Sequence, residues 1–404
     1  MHILLIHQAF AALDEAGGTR HYEMARYLAA RGHQVTIIAS PVSYLTGSST
    51  AGEKAPPWRD EPEAGITILR VRTYAALHRS FLHRVLSFFS FMVSSFIAGV
   101  GVRKVDLVWG TSPPIFQGFT AWLLARLKGV PFLFEVRDLW PAFAVAVGVL
   151  TNKSLIRLSE ALECFLYRHA DCVVVNSPGF VQHVRQRGAK RVELIPNGAD
   201  PDMFKPTGAS PDMLAGLRCD GKFIVMYTGA HGLSNDLGVV LQAAALLNGQ
   251  KNIQFVLVGD GMEKPALMEQ ASAMQLENVT FLPSQPKNKM ADVLAAADAC
   301  IAILKPIEMY RTTYPNKVFD YMAAGRPVIL AIGGVISEVI TGEGAGITVP
   351  PGDPAALAEA VRQLADQPHL AQRMGEAGRT AVELRYNRNE FTRQFAELLA
   401  EMVR

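Results

Sequence analysis

The 404-residue sequence has almost no excess charge of either sign, since 39 lysines and arginines stand against 37 aspartates and glutamates. Nucleic-acid binders usually carry a broad basic field, so this balance argues against a nucleic-acid partner. Disorder is excluded for most of the chain, because 50% of its residues are hydrophobic. One core does not support a chain of this length, and we expect two domains of about 200 residues each.

Cysteine is also scarce, and the chain contains only Cys164, Cys172, Cys219 and Cys300. No two of them have the close spacing of a zinc site or of a disulfide framework, so we expect neither. The first ten residues lack the basic start of a secretory signal and are expected to form a buried strand. These absences favour a reducing, cytoplasmic setting.

Short apolar segments alternate with stretches of helix length along the whole chain, which is typical of parallel α/β sheets. Such segments lie at 2–7, 34–40, 66–71, 106–110, 131–136, 172–177 and 192–197, and again at 222–230, 254–261, 279–283, 299–304, 326–331 and 346–350. The absence of a G-x-G-x-x-G after the first strand disfavours a Rossmann dehydrogenase.

We therefore predict two tandem Rossmann-like domains, residues 1–200 and 201–385, with a boundary in the Pro-, Gly- and Asp-rich segment 196–213. An amphipathic C-terminal helix, residues 386–404, is expected to pack back on the first domain. Open α/β sheets bind ligands beyond the carboxyl ends of their strands, so a ligand is expected in a cleft between the two domains.

An uncharged segment from residue 85 to residue 102 is close to the lower length limit of a membrane-spanning helix. Its serines and glycines, and the strand that follows at once, favour a buried or interfacial helix over a span. Six cations and no acid surround it: Arg70, Arg72, Arg79, Arg84, Arg103 and Lys104. We predict a peripheral contact with anionic membrane through residues 78–104; a buried helix with solvated cations is the alternative.

The segment YPNKVFDYMAAGRPVIL carries the strongest local signal in the chain. Pro315 suits the first turn of a helix, where the free N–H groups of Asn316 and Lys317 and the helix dipole attract an anion. A lysine there adds a point charge suited to phosphate. Asp320 lies on the same face one turn later, where a carboxylate can accept two hydrogen bonds from a ribose diol. A capped helix with a local Lys–Asp pair is the alternative.

This segment resembles the donor-site signature of the retaining GT-B glycosyltransferases of family 4, in which an acidic residue precedes a Met-Ala-x-Gly-x-Pro-Val run. The resemblance extends to Gly17 and Gly18 in the first loop, where glycines let backbone N–H groups approach phosphate and a flexible loop is the alternative. It also includes GHQVTIIAS, IPNGAD and VGDG. FEVRDLWP is similar to the enzymes of O-antigen, capsule and colanic-acid assembly, including transferases of N-acetylfucosamine.

The resemblance implies a hexosyltransferase that moves an N-acetylated hexosamine, such as N-acetyl-L-fucosamine, from a UDP-sugar to a polyprenyl-diphosphate-linked acceptor. It implies retention of configuration, no metal and no cofactor, at the inner leaflet of the membrane. Lys317 would stabilise the leaving diphosphate and Asp320 would hold the ribose. The expected donor-binding residues are Gly17, Gly18, Gly229, His231, Gly259, Asp260, Pro283, Asn316, Lys317 and Asp320.

The chain departs from the family pattern at two places. Thr312 stands where the family often has the first of two glutamates, and Glu308 is the nearest upstream acid. The arginine and lysine that commonly follow the first donor-domain strand are absent from YTGAHGLSNDLG. Lys317 is therefore the first choice to meet the phosphate charge, followed by Arg311 and Lys305.

FEVRDLWP places Glu135, Arg137 and Asp138 at the carboxyl end of an apolar strand, where charges normally line a ligand site. One hypothesis is that Asp138 or Glu135 orients the acceptor hydroxyl while Arg137 contacts the substrate. The other is a structural ion pair that locks the loop. His7 and His21 are expected to be satisfied structurally.

Two further classes of function stay open from the sequence. A UDP-N-acetylhexosamine 2-epimerase shares the GT-B architecture but would turn over a UDP-sugar without an acceptor. A non-catalytic nucleotide-sugar binding protein would show loss of the phosphate-site residues, which are mostly present here.

Overall fold

A computed structural model of the chain describes residues 1–42, 59–61, 65–74, 81–205 and 221–404. Arg79, Cys219 and residues 206–213 of the expected boundary lie outside these ranges. The described chain forms two compact units. The first consists of residues 1–13, 17–196 and 389–404, and the second of residues 14–16 and 197–388.

The first unit is built on an eight-stranded sheet. Its strands are β1 (His2–Ile6), β2 (Gln34–Ala39), β3 (Arg59–Glu61), β4 (Ile66–Arg70), β5 (Leu107–Ser112), β6 (Phe132–Val136), β7 (Cys172–Val175) and β8 (Val192–Leu194). Their order is β3-β4-β2-β1-β5-β6-β7-β8, and only β3 runs antiparallel to its neighbour. Strands β2 and β4 lie on one side of β1, and the chain then crosses to β5 on the other side. The topological switch point therefore lies between β1 and β5.

Helices cover this sheet on both faces, which is why its central strands are continuous apolar runs. They are α1 (Arg20–Ala29), α2 (Phe81–Gly101), α3 (Phe116–Lys128), α4 (Ala142–Ala146), α5 (Lys153–His169) and α6 (Val181–Gln186). Asn152 caps α5 by accepting hydrogen bonds from the N–H groups of Ser154 and Leu155. Helix α1 begins just after the glycine pair, and the side chain of its N-cap residue, Thr19, makes no capping hydrogen bond.

Helix α2 has an inverted polarity. Its buried stripe consists of small or polar residues and one phenylalanine: Ser87, Phe91, Ser95 and Gly99. A Cβ at Gly99 would overlap Leu124 of α3, so the two helices pack closely there. Its exposed stripe is entirely apolar: Leu86, Phe89, Val93, Ile97 and Val100.

By length and composition, the stretch His83–Gly101 of α2 is one helix of the described chain that could cross a membrane. Only 22% of the stretch is buried within the protein. A core helix of a soluble protein would be mostly buried, so the buried-helix alternative does not describe α2. The next strand, β5, lies in the middle of the first sheet.

The second unit contains a six-stranded parallel sheet in the order β11-β10-β9-β12-β13-β14. These strands are β9 (Phe223–Thr228), β10 (Ile253–Val258), β11 (Val279–Leu282), β12 (Ala299–Ile303), β13 (Val328–Ala331) and β14 (Gly346–Thr348). The switch point lies between β9 and β12. Successive residues of one strand enter opposite cores, as Met226 and Tyr227 of β9 do.

The helices of the second unit alternate with its strands. They are α7 (Leu237–Leu246), α8 (Lys264–Ala273), α9 (Met290–Ala295), α10 (Asn316–Ala323), α11 (Val335–Glu343), α12 (Pro354–Asp366) and α13 (Pro368–Arg385). Two tandem Rossmann-like sheets were the predicted fold class, and the structure confirms it. Strand β3 was missed because its charged sequence, RDE, has no apolar run.

The last helix, α14 (Arg388–Val403), contributes to the core of the first unit from Asn389 onward. Phe395 is fully buried, and its ring centroid lies 4.7 Å from that of Trp109 in β5. At the surface, Arg191 donates to both carboxylate oxygens of Glu401 at 3.0 and 2.9 Å. Aromatic packing in the core therefore fixes this helix, since exposed ion pairs contribute little.

We predict that Phe395→Ala destabilises the first unit by about 3–5 kcal/mol, because it leaves a cavity against Trp109. Urea unfolding followed by tryptophan fluorescence measures the change. Leu384→Ala is the control, since Leu384 is 71% exposed and its truncation should leave the midpoint unchanged. A Phe395→Ala midpoint equal to that of the control would contradict the packing described here.

Candidate active site

Helix α10 brings the first functional residues to the switch point of the second sheet. Its first residue follows Pro315, whose extended backbone (φ −65°, ψ 124°) turns the chain into the helix. The Tyr321 hydroxyl accepts a hydrogen bond from the N–H of Thr228 at 2.9 Å and donates to the Thr228 carbonyl at 3.1 Å. These bonds hold α10 at the carboxyl end of β9. The N-cap residue, Pro315, makes no side-chain capping hydrogen bond, and the N–H groups of the first turn of α10 suit an anion.

Lys317 lies in this first turn, and its amine points at the end of β9. Its Nζ donates to the Tyr227 hydroxyl at 2.8 Å and lies 4.0 Å from the centre of the Tyr227 ring. Gly229 (φ +138°) leaves room for it, because a Cβ there would lie 2.7 Å from Nζ. Burial lowers the pKa of Lys317 to about 7, although Asp320 opposes the shift. An anion bound at the amine would favour the charged form.

Asp320 is buried and has its ion pair with Lys287, not with Lys317. Its Oδ2 accepts hydrogen bonds from Lys287 Nζ at 2.6 Å and from Asn316 Nδ2 at 3.3 Å. Its Oδ1 is buried and has no hydrogen-bond partner within the described ranges. A carboxylate oxygen has two lone pairs, so Oδ1 is able to accept both hydroxyls of a diol.

Two glycine turns follow β9 and β10 and touch each other. A Cβ at Gly259 would overlap the carbonyl oxygen of Gly229, so the approach requires glycine. The N–H of His231 donates to the Asp260 carbonyl at 2.8 Å, and the Asp260 carboxylate accepts from the N–H of Gly261 at 2.9 Å. These residues lie at the same edge of the sheet as Lys317.

The His231 ring is buried, and neither ring nitrogen has a partner in the part of the chain described. Burial, reinforced by Lys264 and Lys317, lowers the pKa of His231 to about 4. The imidazole is therefore neutral at pH 7 and has one N–H to donate.

Lys264, at the start of α8, is a residue that sequence reasoning missed. Its Nζ donates to the carbonyls of Gly259 at 2.8 Å and Leu282 at 3.0 Å, which ties the second glycine turn to the end of β11. Its position five residues after Gly259, at a helix start, was the available signal. Pro283 follows β11 directly and is exposed at this edge.

Glu308 stands apart from the polar network of Asp320. It begins a short 3-10 helix, Glu308–Thr312, and its side chain is 87% exposed. Its carboxylate pairs with Arg311 at 3.4 Å. Lys305, which follows β12, donates its backbone N–H to the Ser234 carbonyl at 3.0 Å. An exposed ion pair does not fix a carboxylate as the buried network fixes Asp320.

In the first unit, Glu135 is fully enclosed at the end of β6. Its carboxylate accepts from Arg20 Nε at 2.9 Å, His21 Nε2 at 2.7 Å and Trp109 Nε1 at 3.2 Å. Burial alone would raise the pKa of Glu135, but His21 and Arg20 outweigh it and hold the pKa well below its usual range. This geometry is that of a structural ion pair, the alternative to catalysis, and the partner is Arg20 instead of Arg137. A carboxylate so enclosed does not reach a substrate hydroxyl.

Asp138 and Arg137 lie just beyond β6 and are partly exposed. Burial raises the pKa of Asp138 to about 6, although Arg137 opposes the shift. Arg137 Nη2 donates to the Pro113 carbonyl at 2.9 Å and so joins the ends of β5 and β6. Asp138 is the carboxylate of FEVRDLWP that stays accessible near the first switch point.

The remaining first-unit candidates are the two glycines before α1 and the histidine after β1. A Cβ at Gly17 would lie 2.8 Å from the Cβ of Ala11, whereas Gly18 faces open space. His7 is buried against His21, with ring centres 4.3 Å apart, and its ring nitrogens have no partner in the described chain. The expectation that both histidines are structurally satisfied therefore fails for His7.

Across the described ranges, no group of three or more His, Cys, Asp or Glu side chains is arranged to hold a metal ion. At the carboxyl end of β9 the structure places the Lys317 amine, beside the start of helix α10.

Comparison with solved structures identifies the architecture. Sucrose-phosphate synthase from Thermosynechococcus elongatus superposes with a TM-score of 0.80 at 22% identity, covering 99% of this chain and 98% of that one. HepE from Anabaena, solved in complex with UDP and glucose, gives a TM-score of 0.73 at 17% identity, covering 99% and 100%. Two Rossmann-like units in one chain, matched over their whole length by these structures, define a GT-B fold.

Family comparison then identifies the enzyme class. Residues 16–198 match the glycosyl transferase 4-like domain, and residues 222–367 match the glycosyl transferases group 1 domain. The chain is also 28% identical over 357 residues to WcaI of Escherichia coli (strain K12), provisionally described as a colanic acid biosynthesis glycosyl transferase; the match covers 84% of this chain and 86% of WcaI. The chain belongs to the GT-B glycosyltransferases of the group 1, family 4 type.

We predict that a lysine titrates near pH 7 in the free protein and that pyrophosphate raises its pKa, since an anion favours the ammonium form. NMR of isotope-labelled lysine side chains across pH 5.5–9 measures both. The signal should be absent from Lys317→Met. A titration near pH 7 that persists in that variant, or that pyrophosphate leaves unchanged, would contradict the placement of the amine.

Proposed function

We propose that the enzyme transfers a sugar from a UDP-sugar to a lipid-linked saccharide during bacterial surface-polysaccharide assembly. One observation carries the proposal: helix α10 holds the Lys317 amine and, about one turn later, Asp320 Oδ1, a buried acceptor with no hydrogen-bond partner within the described ranges. An amine in the first turn suits a diphosphate, and a carboxylate one turn deeper suits the ribose attached to it.

The leaving group of such a transfer is the nucleoside diphosphate. The bond between the sugar C1 and the phosphate oxygen breaks, the acceptor oxygen bonds to C1 on the same face, and the departing phosphate oxygen takes the acceptor proton. Configuration is then retained, and no strong side-chain base is needed. Lys317 and the N–H groups of α10 stabilise the developing charge, and neutral His231 donates a hydrogen bond, without metal or cofactor.

The choice of donor and pathway rests on relatives and motif resemblance. HepE was solved with UDP and glucose, which favours UDP as the nucleotide. The description of WcaI names colanic acid biosynthesis, which favours a surface polysaccharide. The resemblance of FEVRDLWP and PNKVFDYMAAGRPV favours an N-acetylated hexosamine such as N-acetyl-L-fucosamine, and a polyprenyl-diphosphate-linked acceptor. Asp138 and Arg137 are the proposed acceptor-side residues.

We predict that Lys317→Ala lowers turnover by orders of magnitude without loss of fold, because the leaving diphosphate loses its cation. The assay follows nucleoside diphosphate release from UDP-, GDP- and ADP-sugars, with and without a lipid-linked acceptor and with EDTA present. Lys289→Ala is the matched control, since Lys289 is exposed on the same unit.

Each outcome of this assay separates the proposal from its competitors. Unchanged turnover in Lys317→Ala would remove the assignment of that lysine, and a preference for a GDP-sugar would replace the donor. Turnover of the UDP-sugar without acceptor would favour an epimerase. Binding without turnover under every condition would leave a non-catalytic sugar-nucleotide binding protein.

We also propose that the enzyme is cytoplasmic and rests on the inner leaflet through α2. The apolar stripe of this helix faces outward, whereas Ser87 and Ser95 are buried. Arg103 and Lys104 are exposed just beyond its last residue, and Arg72, two residues after β4, is also exposed. Lys128 donates to the carbonyls of Val100 and Val102 and so joins the end of α2 to α3. Apolar side chains flanked by cations suit a bilayer containing anionic lipid.

We predict that the double substitution Val93→Glu/Ile97→Glu abolishes binding to vesicles of phosphatidylglycerol and phosphatidylethanolamine, because it places charge in the apolar stripe. Vesicle co-sedimentation measures binding. Leu384→Glu is the control, as an exposed leucine on α13, and should bind like the native protein. Native protein that stays in the supernatant with these vesicles would refute the membrane contact.

A further inference from the structure

Lys287 is a buried cation that the proposed chemistry has not used. It begins a short 3-10 helix, Lys287–Lys289, five residues after the end of β11. Its side chain is 8% exposed, and its Nζ lies 2.6 Å from Asp320 Oδ2 and 4.8 Å from the centre of the Phe204 ring. Its neighbour Lys289 is exposed. Of these two lysines, Lys287 is therefore the buried one, and its ion-pair partner is the Asp320 carboxylate.

We infer that Lys287 is a positioning residue: it fixes the Asp320 carboxylate so that Oδ1 faces the two hydroxyls of the nucleotide ribose. This inference rests on the proposed function, because it assumes a ribonucleotide at helix α10. It adds a residue from a different element, the turn after β11, to the site.

The two carboxylate oxygens of Asp320 differ in their hydrogen bonds. Oδ2 accepts from Lys287 at 2.6 Å and from Asn316 at 3.3 Å, whereas Oδ1 has no partner within the described residues. The last torsion of an aspartate side chain is broad, so such a division is not set by the side chain itself. Two donors on one oxygen hold the carboxylate in a single orientation.

Asn316, the other donor to Asp320 Oδ2, is itself held in place by hydrogen bonds. Arg388 Nη2 donates to Asn316 Oδ1, and Arg388 Nε donates to the Gly198 carbonyl at 3.1 Å. The Asn316 amide is thereby oriented with its Nδ2 towards Asp320. Lys287 approaches the same oxygen from the turn after β11, so α10 receives a restraint from a second element.

The burial of the Lys287–Asp320 ion pair determines what it contributes to the free energy of folding. A buried ion pair has a desolvation penalty that often cancels its Coulomb attraction, so it is a weak source of stability. Removing one partner, in contrast, leaves an uncompensated buried charge. The geometry of Lys287 therefore has its main consequence for the state and orientation of Asp320.

The test compares two ligands that differ only in the ribose hydroxyls, UDP and 2′,3′-dideoxy-UDP, by calorimetry on the native protein and on Lys287→Met. The native protein should prefer UDP by about tenfold or more, because two hydrogen bonds to a charged oxygen are involved. Lys287→Met should lose most of that preference by weakening UDP alone. Lys287→Arg, which keeps the charge, should retain part of it.

The controls separate this inference from a structural role. Lys289→Met should bind both ligands like the native protein. Should Lys287→Met fail to fold, Lys287→Gln replaces it in the same comparison. Equal weakening of both ligands, or a native preference kept in Lys287→Met or Lys287→Gln, overturns the inference. Failure of the native protein to bind UDP overturns the proposed function, and this inference with it.

Discussion

The burial of both faces of two parallel sheets is the constraint on which the rest of this structure depends. Strands such as β1 and β10 are enclosed, so their side chains are mostly apolar and offer little chemistry. Polar groups can collect only where the strands end, in the turns that lead into the helices. The switch points beside β1 and β9 therefore receive the charged residues of each unit. A single architectural requirement thus concentrates the reactive groups without any contribution from the core itself.

The two units differ in how their buried carboxylates are hydrogen-bonded. Glu135 is surrounded by Arg20, His21 and Trp109, and both of its oxygens accept hydrogen bonds. Asp320 has its donors on one oxygen and leaves the other without a partner within the described ranges. In a low-dielectric setting an unmet acceptor is costly, whereas a fully paired one contributes to a fixed scaffold. The first carboxylate is accordingly part of the framework, and the second is suited to a ligand.

The sequence was a good guide wherever a signal was local. Apolar segments separated by helix-length stretches predicted the strands of both sheets, and the helix beginning at Asn316 followed from Pro315 and the run that ends at Gly325. Strand β3 was not predicted, because a charged edge strand has no apolar pattern. The sequence also did not predict that the apolar stripe of α2 faces outward, because composition does not show which face of a helix its neighbour covers. The spacing of Lys317 and Asp320 suggested a local pair, but their amine and carboxylate found partners elsewhere.

The sequence by itself determined the fold class, the enzyme family and the helix that carries the candidate donor site, because each depends on patterns of neighbouring residues. Tertiary structure alone decided which polar groups meet. Lys287 and Asp320 are separated by 33 positions along the chain, and Arg20 and Glu135 by 115. Such pairs form because parallel strands deliver their carboxyl ends to one edge of a sheet, and no local pattern encodes that meeting. The lack of a partner for Asp320 Oδ1 among the described residues is therefore a property of the folded chain and not of its motif.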